Sequence, residues 1–207
     1  MKVVLREHSG LALVEESART CYNLEYKIDP DNVDIEYIKK VVHQYHHTSV
    51  GEKWHLTFRL IDFPRNVLQE ISRHRIAVSP SVKSTRYTFG RLLEEGKRPF
   101  FEVRDIVKQN LYPSVFIDDL ASEFASKVRR IVLMDKLSKK EKIEELKHAL
   151  PESWLTTGLY QFNMVSLQHL FDLRLVPTVF TPFYLLANMM YDVIPEDLQC
   201  LFTRSDQ

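Results

Sequence analysis

Only two cysteines, Cys21 and Cys200, occur in the 207 residues. Their spacing matches neither a zinc site nor a disulfide framework, which points to a reducing compartment and a cytoplasmic location. Glycine occurs five times, and there is no Gly- or Ser-rich linker and no repeat. The chain therefore reads as a single domain spanning residues 1–207. Its formal net charge is +0 and its pI about 7.1, which argues against a general nucleic-acid coat. Residues Met1 to Glu7 lack the apolar run of a secretory leader. The stretch Leu175 to Ile194 carries one formal charge, Asp192, and is long enough to cross a bilayer. Pro177, Pro182, Asn188 and Asp192 interrupt it, so it reads as a core or subunit-contact helix. Neither nucleic acid nor membrane is an expected partner.

What is present is an ordinary globular mixture, 44% hydrophobic and 27% charged. Residues 2–6 read as a short strand and Leu11 to Cys21 as a helix. A second helix is predicted from about Val33 to His46, with Ile35, Ile38, Val41, Val42 and Tyr45 on one side and Asp31 or Asn32 as cap. Trp54, Leu56, Phe58 and Leu60 alternate with more polar residues at strand spacing. Pro64 starts a helix that turns Val67, Leu68 and Ile71 inward. Ser84 to Phe89 reads as a strand. Pro113 to about Asp135 is an amphipathic helix, and Ser138 with Glu141 forms a capping-box pattern for a helix to Ala149, stopped by Pro151. Further helices are predicted over Asn163–Leu173 and about Pro182–Val193. The fold class is α+β, with a small, mainly antiparallel sheet and a large helical portion.

Three segments carry candidate chemistry. The first, Arg73 to Tyr87, packs three arginines, one histidine and three serines into fifteen residues. Guanidinium groups this close repel one another unless an anion sits among them, and their planar forks suit phosphate. Surface ion pairing is the plain alternative for any one arginine. The second is His46-His47-Thr48-Ser49-Val50-Gly51-Glu52. With His43 and His55 it is histidine-rich, yet it fits no metal-ligand template. A loop that handles protons or touches a cofactor is the reading preferred to metal binding. The third, Asn163 to Arg174, places Asn163, Ser166 and Arg174 on a mostly apolar helix. Arg174, if buried there, requires an acidic partner or an anionic ligand.

Together, in this order, these segments resemble the flavin-dependent thymidylate synthases. Arg73-His74-Arg75 with Ser84-Thr85-Arg86-Tyr87 is similar to the family's Arg-His-Arg…Ser-x-Arg-Tyr signature. His47-x-Ser49-x-x-Glu52 resembles its upstream element, Asn163 to Arg174 its downstream helix, and Lys147, four residues before Pro151, its basic position. The resemblance spans about residues 10 to 200. There are departures. Eight residues, Ile76 to Lys83, separate Arg75 from Ser84 where seven are usual. Val82 stands where many members have an acidic residue, Val165 in place of arginine, and His169 in place of asparagine. Lys147 stands where arginine is common and Glu70 where glutamine is frequent.

The resemblance implies methylation of dUMP to dTMP, with methylenetetrahydrofolate as carbon donor and FAD, reduced by NADPH, as hydride source. It implies no cysteine nucleophile. By the same carry-over, Arg174 and His47 are the catalytic residues. Ser49, Arg73, His74, Arg75, Asn163, Val165 and His169 are the FAD contacts. Glu70, Arg73, Ser84, Thr85, Arg86, Lys147 and Arg174 are the dUMP contacts. It also implies a homotetramer with flavin sites at subunit interfaces. Two alternatives stay open: a flavin- and nucleotide-binding NADPH oxidase or degenerate homologue without methyl transfer, and an RNA-binding module built on the arginine loop.

Overall fold

Leu56, Phe58 and Leu60, the alternating apolar residues, are fully buried, and the strand they form pairs antiparallel with the first strand. These are β1 (Lys2–His8) and β2 (His55–Pro64), in register from Lys2 opposite Ile61 to His8 opposite Leu56, with a bulge between Leu5 and Glu7. Two further strands, β3 (Val78–Val82) and β4 (Leu155–Asn163), complete a four-stranded sheet in the order β1-β2-β4-β3. The α+β expectation therefore holds. The structure, a computed structural model, describes residues 1–23, 29–74 and 78–203. Arg75 lies outside the described residues.

The chain divides into two compact units: Met1–Ile61, Glu70–Ser81 and Thr157–Gln207 form the first, and Asp62–Gln69 and Val82–Thr156 the second.

In the first unit the helices are α1 (Ala12–Cys21), α2 (Ile35–Lys39), the C-terminal end of α3 (Arg65–Ile71), α8 (Met164–Arg174), α9 (Thr181–Asp192) and the short α10 (Glu196–Gln199). The predicted helix over 33–46 is corrected in two respects. Its cap is Asp34, whose side chain accepts the Tyr37 N–H at 2.9 Å, rather than Asp31 or Asn32. After Lys39 it continues as a π-helical turn over Lys40–Gln44, and His46 leaves it with φ of 55°. That left-handed residue ends the helix and sends the chain into the 3-10 turn Thr48–Lys53. Glu15 is fully buried on α1, and both its oxygens are used: one takes Arg19 at 2.8 Å, the other the Asp34 N–H at 3.0 Å. A carboxylate removed from water needs such partners, and here they tie α1 to the start of α2. The apolar stretch near the C-terminus forms α9, with Phe183, Leu186, Ala187 and Met190 buried. Among the described residues no helix is long and apolar enough to cross a membrane.

The second unit is helical: α4 (Thr85–Glu95), α5 (Phe100–Gln109), α6 (Ile117–Val132) and α7 (Lys139–His148). Their core gathers Phe89, Leu92, Val103, Val107, Phe124, Val128, Leu146 and Trp154, all buried. The predicted strand Ser84–Phe89 is instead the start of α4. Ser84 caps it by accepting the Arg86 N–H, and Phe89, Leu92 and Leu93 recur at helical spacing on its buried face. The capping box is present, with Ser138 accepting the Glu141 N–H and the Glu141 carboxylate accepting the Ser138 N–H at 2.7 Å. Helix α6 begins at Ile117, four residues after Pro113.

Strands β3 and β4 and helices α5 and α10 were not expected. Gly158 explains why β4 can lie where it does. A Cβ there would meet Tyr160 Cε2 at 2.6 Å and the Ser81 carbonyl oxygen of β3 at 3.3 Å, so a side chain would collide with the Tyr160 ring and crowd β3. Pro80 lies on β3, at the sheet edge, where a missing N–H costs no ladder bond.

Candidate functional site

The Arg174 guanidinium donates through Nη2 to Glu70 Oε2 at 3.0 Å, joining the last residue of α8 to the last turn of α3. The other oxygen, Glu70 Oε1, accepts from Arg73 Nη1 at 3.3 Å. Two residues 104 apart in sequence are thus one ion pair, with side chains 20% and 32% exposed. Arg174 also lies over the Phe183 ring of α9, 4.7 Å from its centroid, so an apolar wall fixes one face of the guanidinium.

His74 completes this cluster in the first unit. It is buried, edge-on to His169 of α8 at 5.7 Å and to Phe183 at 6.2 Å. Burial holds its pKa below the usual histidine value. The positive charge of Arg174 and then His169 push the same way, and Glu70 pulls against them. Among the described residues, His74 Nε2 and Arg174 Nε are buried without a hydrogen-bond partner. Buried orphan nitrogens in a cationic cluster call for an acceptor, and an anionic ligand supplies one.

A second group of the expected residues surrounds the start of α8. Asn163 caps that helix, its side-chain oxygen accepting the Ser166 N–H at 2.8 Å, and is 4% exposed. Its carbonyl is thereby committed to the fold. Val165 is half-buried and His169 exposed. The turn carrying Ser49 packs against α8, and the Met164 N–H reaches the Trp54 carbonyl at 2.9 Å. Ser49 and His47 are exposed. His47 is not free to swing: Tyr22, just past α1, stacks on its ring at 5.5 Å.

Ser84, Thr85, Arg86 and Lys147 belong to the second unit, the first three at the N-terminus of α4 and Lys147 on α7. Ser84 and Arg86 are exposed and Lys147 half-buried. Along α4 lies a cavity of ≈ 370 Å³ lined by Lys83, Tyr87, Arg91, Asn110 and Trp154, among others. Two cations and an 83% exposed tyrosine beside the capping serine suit an anionic, partly aromatic ligand. Lys83 and Tyr87 belong to the segment singled out in the sequence, whereas Arg91, Asn110 and Trp154 were not anticipated, nor were Tyr22 and Phe183. Among the described residues no three His, Cys, Asp or Glu side chains gather as metal ligands. Cys21 and Cys200 are both unpaired, and neither lies in a site segment.

The arginine–glutamate–histidine cluster of the first unit and the capped, basic helix start of the second each suit an anionic ligand. The family model described as "Thymidylate synthase complementing protein" matches residues 2–196. The flavin-dependent thymidylate synthase of Helicobacter pylori strain J99 is 34% identical over 209 residues, covering 98% of this chain and 97% of the relative. That of Campylobacter jejuni strain RM1221 is 30% identical over 207 residues, covering 98% and 96%. Among solved structures, the Helicobacter pylori flavin-dependent thymidylate synthase ThyX, complexed with FAD and dUMP, superposes with a TM-score of 0.78 at 28% identity, covering 98% of each chain. The chain belongs to the family of flavin-dependent thymidylate synthases.

Proposed function

We propose that this protein methylates dUMP to dTMP, taking the carbon from methylenetetrahydrofolate and the hydride from FAD reduced by NADPH. The observation that carries the reading is the cluster of Glu70, Arg73, His74, His169 and Arg174. It joins two of the segments on which the family resemblance rests. The match over residues 2–196 runs through both units and supports their working as one catalytic domain. The dUMP-bound relative supports the choice of nucleotide.

Uracil C5 is a weak nucleophile and must be activated. Arg174 suits this task. One amino group is held by Glu70, one face by Phe183, and the remaining N–H groups are left to favour pyrimidine ionisation at N3. Arg73, Ser84, Arg86 and Lys147 would hold the nucleotide's phosphate and neighbouring atoms, and Glu70 and Thr85 would contact the nucleotide elsewhere. The Ser84 hydroxyl accepts the Arg86 N–H, and we read it as a phosphate or substrate contact rather than a nucleophile. Cys21 and Cys200 stand outside the site segments, which supports a route without a cysteine nucleophile. His47, stacked against Tyr22, would orient a ligand or move a proton.

The residues present fit FAD. The orphan His74 Nε2 and the surrounding positive charge favour its anionic groups, and Ser49, Arg73, His74, Arg75, Asn163, Val165 and His169 would hold it. Asn163 would do so with the part of its amide not used in capping α8. When reduced, the flavin supplies the hydride, and the chain binds, orients and excludes water. We place the enzyme in the cytoplasm as a homotetramer with flavin sites between subunits, without nucleic-acid or membrane partners.

The test is to reduce the FAD-loaded protein with NADPH without oxygen and follow the flavin absorbance. Reoxidation that needs both dUMP and methylenetetrahydrofolate supports the synthase reading. Reoxidation by oxygen alone, with neither substrate having an effect, supports the oxidase alternative.

A further inference from the structure

Among the described residues, Glu70 is the carboxylate paired within the cationic cluster of Arg73, His74, His169 and Arg174, and each of its oxygens accepts from a different guanidinium. The two arms differ in strength. The Arg73 side chain is 73% exposed, so water and salt screen that contact heavily. The Arg174 arm is shorter and more sheltered, with side chains 20% and 32% exposed, and is screened less. A carboxylate here lowers the positive potential the two arginines offer, and it repels any anion that approaches them. An amide at position 70 keeps the shape and one acceptor oxygen but removes the charge.

We infer that Glu70 is an internal counter-anion: paired with Arg73 and Arg174, it offsets part of their positive charge, and a phosphate-bearing ligand must bind against its repulsion. The inference rests on the reading that these arginines meet the nucleotide. It adds to that reading a residue that sets affinity by opposing binding. Glu70 thereby offsets the mutual repulsion of the two arginines.

The test is calorimetric titration of the full-length wild-type protein and Glu70→Gln with inorganic phosphate, and separately with dUMP, at low and moderate salt. Glu70→Gln is expected to bind phosphate about tenfold more tightly, a shift equal to one modest ion pair, and to lose affinity more steeply with salt. Adding Arg174→Ala to Glu70→Gln is expected to remove most of the gain. A gain in affinity cannot come from misfolding. Equal or weaker phosphate binding by Glu70→Gln overturns the inference, as does undetectable phosphate binding by both proteins. If phosphate tightens while neither protein binds dUMP, the counter-anion stands and the nucleotide reading fails. If both bind dUMP while phosphate affinity is unchanged, the reading stands and the counter-anion falls.

Discussion

The Tyr22 ring lies nearly parallel to the His47 imidazole, 11° from coplanar with centroids 5.5 Å apart, and its hydroxyl reaches His47 Nδ1 at 3.4 Å. Most of this contact is ring on ring, since the hydrogen bond is long. Tyr22→Phe is therefore expected to keep most of the turnover. Tyr22→Ala frees the imidazole and is expected to lower kcat roughly tenfold, a loss of about 1.4 kcal/mol in the barrier. Steady-state kinetics on both variants check this. An alanine variant as fast as wild type removes the stack from the mechanism.

Arg174→Ala removes the group assigned to stabilise charge on the pyrimidine. Loss of one such preorganised donor costs about 10²-fold or more in kcat. The variant is expected to stay folded by circular dichroism, because Arg174 lies at the end of α8 and is partly solvated. Turnover near the wild-type rate would take Arg174 out of the chemistry.

His74 links stability to pH. Its folded pKa is held below the ordinary histidine value, first by burial and then by Arg174 and His169. As pH falls through the ordinary value, the unfolded chain takes up a proton that the folded chain refuses. This contribution to stability is complete above the ordinary value and declines from there down to the folded pKa. Urea midpoints are therefore expected to drop between pH 7.5 and pH 5.5, and His74→Gln is expected to flatten that drop. Parallel curves for the two proteins would assign the dependence to other groups.

Gly96, at the C-terminal end of α4, has ordinary helical φ, so its small size rather than its flexibility matters. A Cβ there would meet Val128 Cγ1 and Val132 Cγ2, both at 2.8 Å. Valine side chains are stiff and these stand on α6, so Gly96→Ala is expected to destabilise by about 1–3 kcal/mol. Chemical denaturation measures it, and an unchanged midpoint would show that α6 yields.

Elements whose signal is local were legible in the sequence. Ser138 and Glu141 formed the capping box their spacing announced, and Leu56, Phe58 and Leu60 alternate into the core. Helix α4 was read as a strand because six residues, Ser84 to Phe89, show no period. The deciding apolar pair, Leu92 and Leu93, lies beyond them. Strand β4 was hidden because Thr156 and Gly158 occupy two of its inward positions, where apolar residues normally mark the alternation. In the candidate site, Arg73, His74 and Arg174 stood out by their chemistry, and the family resemblance supplied their roles. Their junction through Glu70 spans 104 residues, and no local pattern encodes it. Tyr22 and Phe183 were missed for the same reason: a ring that steadies another side chain reads, in sequence, like any other aromatic.

The most direct measurement is dTMP formation by the purified protein given dUMP, methylenetetrahydrofolate, NADPH and FAD, with each omitted in turn. The account predicts product only when all four are present. Folded, flavin-bound protein that forms no dTMP from the full mixture would contradict it.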